Sequence, residues 1–168
     1  TFDANEVVLH IPRSQIVSRH SQDDLCRFLV EQPHSQLVLD TLEGGERGFY
    51  LDCWSDCALC QSGDADFLHS LRNEARDQVI SSRVPRQVFW SVRSRCFSDV
   101  NDMISLVPIA DLLNHDANIE MCTFDFTTRD GFQLYCPHPI NAGDSISISY
   151  GETLSNQDLL FSHGFCVL

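Results

Sequence analysis

The chain has 168 residues, 43% of them hydrophobic and 21% charged, and a formal net charge of −13. Such a composition suits one globular domain with a sizeable core and argues against disorder. The acidic balance argues against nucleic-acid binding, where phosphates need clustered Lys and Arg; it suits attraction of a basic protein segment or, equally, general solubility.

In chain order, residues 6–11 read as a strand that Pro12 stops. Ser21, with Asp24 at the capping-box position, predicts a short helix carrying Leu25, Phe28 and Leu29. Residues 36–42 suit either period, 43–46 form a turn, and 50–64 are irregular. Asp64 or Asp66 caps a helix to about residue 80, with Phe67, Leu68, Leu71, Ala75 and Val79 on one side. Pro85 suits the first turn of the next helix, expected to run to about Phe97. Its apolar stripe is Val88, Phe89, Val92 and Cys96, which Arg93 and Arg95 leave. Asn101-Asp102 is a turn, and strands are expected at 103–109, 119–126, 131–136 and 144–150. Asp130-Gly131 signals a hairpin, and 141–144 a second turn. Ser155 or Asn156 starts a last short helix that Gly164 ends.

No apolar run approaches the length of a membrane span, and no basic region leads into an apolar one at the N-terminus. The chain opens at Thr1, without Met and within strand-like sequence, and so reads as a fragment. Eight cysteines lie at 26, 53, 57, 60, 96, 122, 136 and 166, several inside apolar segments. Without a secretory signal they are expected to be reduced intracellular thiols, not a disulfide framework. The spacing Cys53-x-x-x-Cys57-x-x-Cys60 could hold an iron–sulfur cluster, or most of a zinc site with His69 as fourth ligand. The strand–helix barrel that the cluster chemistry needs is not in the pattern. A Cys-rich loop is the plain alternative, and no metal is expected.

Two features mark the active region. The apolar segment 106–109 runs into a short helical turn ending in the polar pair Asn114 and His115, with Asp111 one turn earlier. Helix-end capping would explain one such group, whereas three beside a sheet suit a ligand-binding edge. The alternating strand 145–150 then delivers Tyr150 to its end, next to Gly151. A strand-end Tyr is often a packing residue, but it can also orient a reacting group through its hydroxyl. Signatures of serine hydrolases, phosphate loops and dinucleotide folds are absent from the sequence.

The blocks FWSVRSRCFS, LVPIADLLNH, INAGDSISISYG and SNQDLLFSHGF, in this order over about residues 86–168, resemble the SET-domain methyltransferases of the Rubisco large-subunit methyltransferase-like class. NEVVLHIP is similar to the second strand of their N-terminal SET half, and LVLDTLEGGERGFYLDC loosely resembles part of their helical insert. The resemblance implies an α+β, β-rich SET fold: small antiparallel sheets, a pseudoknot and a helical insert. It divides the chain into the end of the N-terminal SET half (1–20), a short insert (21–98) and the C-terminal SET half (99–168).

The resemblance further implies methyl transfer from S-adenosylmethionine to a protein lysine, in an intracellular compartment: cytoplasm or nucleus, with the chloroplast open. Arg95, Asp111, Asn114, His115, Tyr150, His163 and Phe165 would hold the cofactor, and Tyr150 would be the catalytic tyrosine. Phe97, Phe124 and Phe126 are candidates for the walls of a lysine channel, beside a plain core role; Tyr135 and Trp90 are assigned to packing. The expected partner is a lysine-bearing protein, with no nucleic acid or membrane, and the chain is expected to be a monomer.

Departures from the family pattern are specific. Its N-terminal Gly-x-Gly cofactor loop would lie before Thr1, and its C-terminal substrate-binding domain is not in this sequence. The residue before Gly-Phe, Tyr in many relatives, is His163 here. A branch that methylates histidine carries Asn two residues after the cofactor Arg, where this chain has Phe97, so lysine is favoured. The rival reading is a SET-like module that binds proteins without catalysing; an iron–sulfur S-adenosylmethionine enzyme ranks below both.

Overall fold

The computed structural model describes residues 1–31, 70, 73–74, 77–78, 83–84, 86–99, 101–116, 122–127, 129–151, 153–165 and 167. The expected segments at 36–42, 43–46 and 50–64, with Cys53, Cys57, Cys60 and His69, lie outside them, as do Pro85 and most of the helix expected to residue 80. Of that helix, Ser70, Asn73, Glu74, Asp77 and Gln78 are helical. The chain divides into two compact units: Thr1–His20 with Arg95–Thr153, and Ser21–Ser94 with Leu154–Leu168.

The first unit is built from small sheets. Strand β1 (Val7–Ile11) pairs antiparallel with β7 (Gly131–Tyr135), which pairs antiparallel with β6 (Thr123–Thr127). The β6–β7 hairpin turns where Asp130-Gly131 signals it. Gly131 is obligatory there: its φ is 98°, and a Cβ would collide with the Ile11 carbonyl oxygen. A second antiparallel sheet orders β2 (Val17–Arg19), β4 (Ile104–Leu106) and β3 (Phe97–Ser98). The third is a parallel ladder of two residues per strand, β5 (Asn114–His115) with β8 (Ser147–Ile148). The core beneath includes Ile11, Val107, Phe126, Phe132, Leu134 and Ile148, all buried.

The second unit is helical: α1 (Gln22–Glu31), α2 (Arg86–Arg95, through Ser94) and α3 (Asn156–His163). Ser21 caps α1 as predicted, its hydroxyl accepting the Asp24 amide. Leu25, Cys26 and Leu29 are buried, as are Val88, Phe89 and Val92 of α2. Trp90 packs edge-to-face on Phe161, and the Arg93 guanidinium lies over the same Phe ring at 4.8 Å. Among the described residues no helix is long and apolar enough to cross a membrane.

Several expectations are corrected. The strand expected at 103–109 stops at Leu106, because Pro108 cannot donate to a ladder and Ile109 turns to φ 71°. The strand expected at 144–150 keeps only Ser147–Ile148, because its ladder partner β5 is itself two residues long. Helix α2 ends at Arg95, and Phe97 joins β3. Two of the three sheets are antiparallel, as the resemblance implies, and the third is parallel. At the open end of the β6–β7 hairpin Cys122 and Cys136 come face to face, with their Cα atoms 4.1 Å apart. The pairing follows from register, since Thr123 faces Tyr135 and the next residues outward must meet.

Candidate functional site

The predicted site residues of the first unit converge on the segment 107–115. After β4 the chain passes Pro108 and makes a single 3₁₀ turn, Ala110–Leu112, closed by the Leu113 amide donating to the Ala110 carbonyl. Ile109 enters this turn at φ 71°, strained for a β-branched side chain, and is 61% exposed. Leu112 beside it is also exposed.

Arg95 holds the turn from the end of α2. Its guanidinium donates to the Asp111 carbonyl oxygen at 3.1 Å and lies 3.9 Å from the carboxylate. Burial pushes the Asp111 carboxyl above the ordinary carboxylate range, against the opposing pull of Arg95. Asn114 and His115 then form β5, with the Asn114 side chain exposed and His115 half-buried. They are strand residues, not the helix terminus that the sequence suggested.

Tyr150 follows β8 by two residues and is clamped at both ends. Its amide donates to His115 Nδ1 at 3.1 Å, and its hydroxyl donates to the Leu113 carbonyl oxygen at 2.7 Å. The rings of His115 and Tyr150 lie 5.3 Å apart, tilted by 39°. Because Nδ1 accepts, the ring proton of His115 belongs on Nε2. The phenol is therefore fixed in direction, with its proton committed to the Leu113 carbonyl.

The structure thus brings Arg95, Asp111, Asn114, His115 and Tyr150 onto one connected set of contacts. His163 and Phe165 belong to the second unit, at the end of α3, with ring centroids 6.2 Å apart. Phe97, Phe124 and Phe126 all pack on Phe132; Phe126 is buried at 4% exposure, whereas Phe97 and Phe124 are half-buried. Among the described residues no group of three or more His, Cys, Asp or Glu side chains is placed to hold a metal. The Leu113 carbonyl was missed by sequence reasoning, and no side-chain pattern could have signalled a backbone acceptor.

No family model matches the chain. In sequence it is similar to the chloroplastic ribulose-1,5-bisphosphate carboxylase/oxygenase large subunit N-methyltransferases of Nicotiana tabacum (34% identical over 90 residues) and Pisum sativum (31% over 90). Each match covers 46% of this chain and 18% of the relative. The chloroplastic [fructose-bisphosphate aldolase]-lysine N-methyltransferase of Arabidopsis thaliana is 29% identical over 100 residues, 52% of this chain and 21% of that protein. The matched stretches thus span about a fifth of these relatives' length. Among solved structures, the SET domain of LSMT bound to methyllysine and AdoHcy matches with a TM-score of 0.64 at 19% identity, over 99% of this chain and 48% of that one. Rubisco LSMT bound to AdoMet matches with a TM-score of 0.60 at 16% identity, again over 99% and 48%.

Proposed function

Taking the chain as a SET-domain protein of the Rubisco large-subunit methyltransferase-like kind, we propose that it transfers a methyl group from S-adenosylmethionine to a lysine side chain of a protein. The observation that carries this reading is the double clamp on Tyr150. The donor set suits the cofactor. An exposed Asn114 amide offers both a donor and acceptors, and the Arg95–Asp111 pair and the His115 and Tyr150 rings stand along the same segment. When bound, the cofactor supplies an electrophilic methyl on a sulfonium.

In this reading the chain's own residues position and do not react. The Tyr150 oxygen, its proton held by Leu113, accepts a hydrogen bond from the lysine amine and aims the nitrogen lone pair. Burial of that amine lowers its pKa and favours the neutral nucleophile. The Leu113 carbonyl and Tyr150 phenol oxygens would offer partial negative charge to a sulfonium held beside them, and no covalent intermediate with the chain is needed. The acidic surface, with a net charge of −13, favours a basic substrate segment.

The test is S-adenosylmethionine binding by calorimetry on the full-length protein, with Asn114→Ala and Tyr150→Phe. Saturable binding lost in Asn114→Ala is expected. Tyr150→Phe should keep affinity within about threefold and lose about 100-fold or more in lysine methylation rate. No binding by the folded full-length protein would overturn the reading in favour of a non-catalytic interaction module.

A further inference from the structure

Ile109 and Leu112 are the most exposed large apolar side chains among the described residues, at 61% and 66%. The Leu112 amide donates to the Ile109 carbonyl oxygen at 3.0 Å, so the two residues close one turn. Their Cα atoms are then within about 7 Å of each other. Val107 and Ala110 bury the inner side of the same segment, at 0% and 1% exposure. Asp111, the charged residue of the turn, is paired with Arg95 at 3.9 Å, which leaves the outer side apolar. Single exposed apolar residues are ordinary on a protein surface, but two on one closed turn make a patch.

Neither the core nor the backbone accounts for isoleucine at 109. Its side chain is mostly in solvent, so folding gains little from it. Its φ of 71° suits Gly or Asn and strains a β-branched residue. Strain of this kind gathers at functional sites, where it holds a group in place for a partner.

The patch adjoins the proposed chemistry. Leu112 is followed by Leu113, whose carbonyl oxygen accepts the Tyr150 hydroxyl at 2.7 Å. The turn is also pinned from within, by the Asp111 amide on the Val107 carbonyl and the Leu113 amide on the Ala110 carbonyl. In the proposed reaction the lysine amine lies a hydrogen bond, about 3 Å, from the Tyr150 oxygen. A lysine side chain spans roughly 6 Å, so the substrate backbone passes within about 9 Å of that oxygen. Two further residues extend about 7 Å along the strand on either side, which brings them within reach of the turn. The net charge of −13 draws in a basic segment, and the patch adds a demand for an uncharged, bulky neighbour.

We infer that Ile109 and Leu112 are specificity-determining residues that take a bulky apolar side chain of the protein substrate, placed within two residues of the target lysine. The place of the lysine rests on the methyltransferase reading; the apolar preference is measured by binding alone.

The experiment uses the full-length protein and two synthetic peptides, each with one lysine in an arginine- and glycine-rich background. One carries leucine at the four positions within two residues of the lysine, and the other carries serine there. Peptide affinity is read by fluorescence anisotropy with and without S-adenosylhomocysteine, methyl transfer is followed separately, and sedimentation reports the oligomeric state. The leucine peptide should bind at least about tenfold more tightly, the effect of burying one such side chain. In Ile109→Thr with Leu112→Ser that ratio should fall to about twofold or less, with S-adenosylmethionine affinity within about twofold of the parent. Equal affinity for the two peptides, binding of neither, or a preference that survives both substitutions would overturn the inference. So would S-adenosylmethionine affinity lost in the double variant, which would put the turn under the cofactor, or a dimer that the double variant dissolves, which would make a second copy the occupant. Equal methylation of both peptides would leave the methyltransferase reading standing and overturn the inference. Leucine-dependent peptide binding with no S-adenosylmethionine binding would support the apolar site and overturn the methyltransferase reading.

Discussion

The β5–β8 ladder and helix α3 both carry candidate site residues, and they are held in opposite ways. Helix α3 is decided within its own sequence. The Ser155 hydroxyl accepts the Asp158 amide, the Asp158 carboxylate accepts the Ser155 amide, and Gly164 closes the helix at φ 79°. The ladder is decided from far away. Each strand is two residues long, and Tyr150 is fixed by partners 35 and 37 positions earlier in the chain. Local signals make an element robust one residue at a time, whereas a short ladder depends on each of its few long-range contacts. The central residues of the proposed chemistry stand on the second kind of element.

The largest effect expected from this contrast is at His115. Replacing it by Ala leaves the half-buried Tyr150 amide without its side-chain acceptor and should cost about 1–3 kcal/mol. His115→Asn offers an amide oxygen in nearly the same place and should recover part of the loss. Urea unfolding midpoints together with Tyr150 amide exchange test the pair. Equal destabilisation by Ala and Asn would show that the ring's volume matters and not its acceptor.

Ile109 gives a smaller effect of opposite sign. Its φ of 71° is strained and its side chain is 61% exposed, so Ile109→Gly relieves strain and loses little burial. Strain of about 1–3 kcal/mol, less about 0.5–1 kcal/mol for glycine's added freedom in the unfolded chain, leaves a net gain of about 1 kcal/mol. Thermal unfolding checks it. A stabilised variant with weaker S-adenosylmethionine binding would mark the strain as part of the site's arrangement. A loss of stability would show that Ile109 packs in a way its exposure hides.

This contrast also explains what could be read from the sequence. Strand β1, the Asp130-Gly131 hairpin, the Ser21 cap and both ends of α3 each have a residue with a local reason to be there. Asn114, His115 and Tyr150 stood out as polar groups at apolar edges, but their relation did not. Alternation along 144–150 suggested a strand of full length, and only the partner's two residues limit it. The meeting of Cys122 with Cys136 needs the hairpin register, which spacing in a chain of eight cysteines does not reveal. The parallel direction of β5 and β8 depends on a crossover that neither strand encodes.

The smallest effect belongs to the locally encoded helix, and it carries a sign that pH can test. Ser155→Ala removes the cap and should cost about 0.5–1 kcal/mol, confined to α3. The Ser155 hydroxyl, and then its amide, hold the Asp158 carboxyl below the ordinary carboxylate range. The folded value is depressed, so this stabilisation is present above the unfolded carboxylate's value and is lost as pH falls through the folded one. Asp158 is an exposed group, so the effect should be seen as a titration shift and not as a large change in stability. In Ser155→Ala, the Asp158 carboxyl followed by NMR should titrate closer to its ordinary value, because its strongest hydrogen bond is gone. The Tyr150 amide should exchange at its wild-type rate, because the bonds of this cap run between Ser155 and Asp158. A Tyr150 response as large as that of α3 would mean that the two regions are energetically coupled, and the division between local and long-range support would fail.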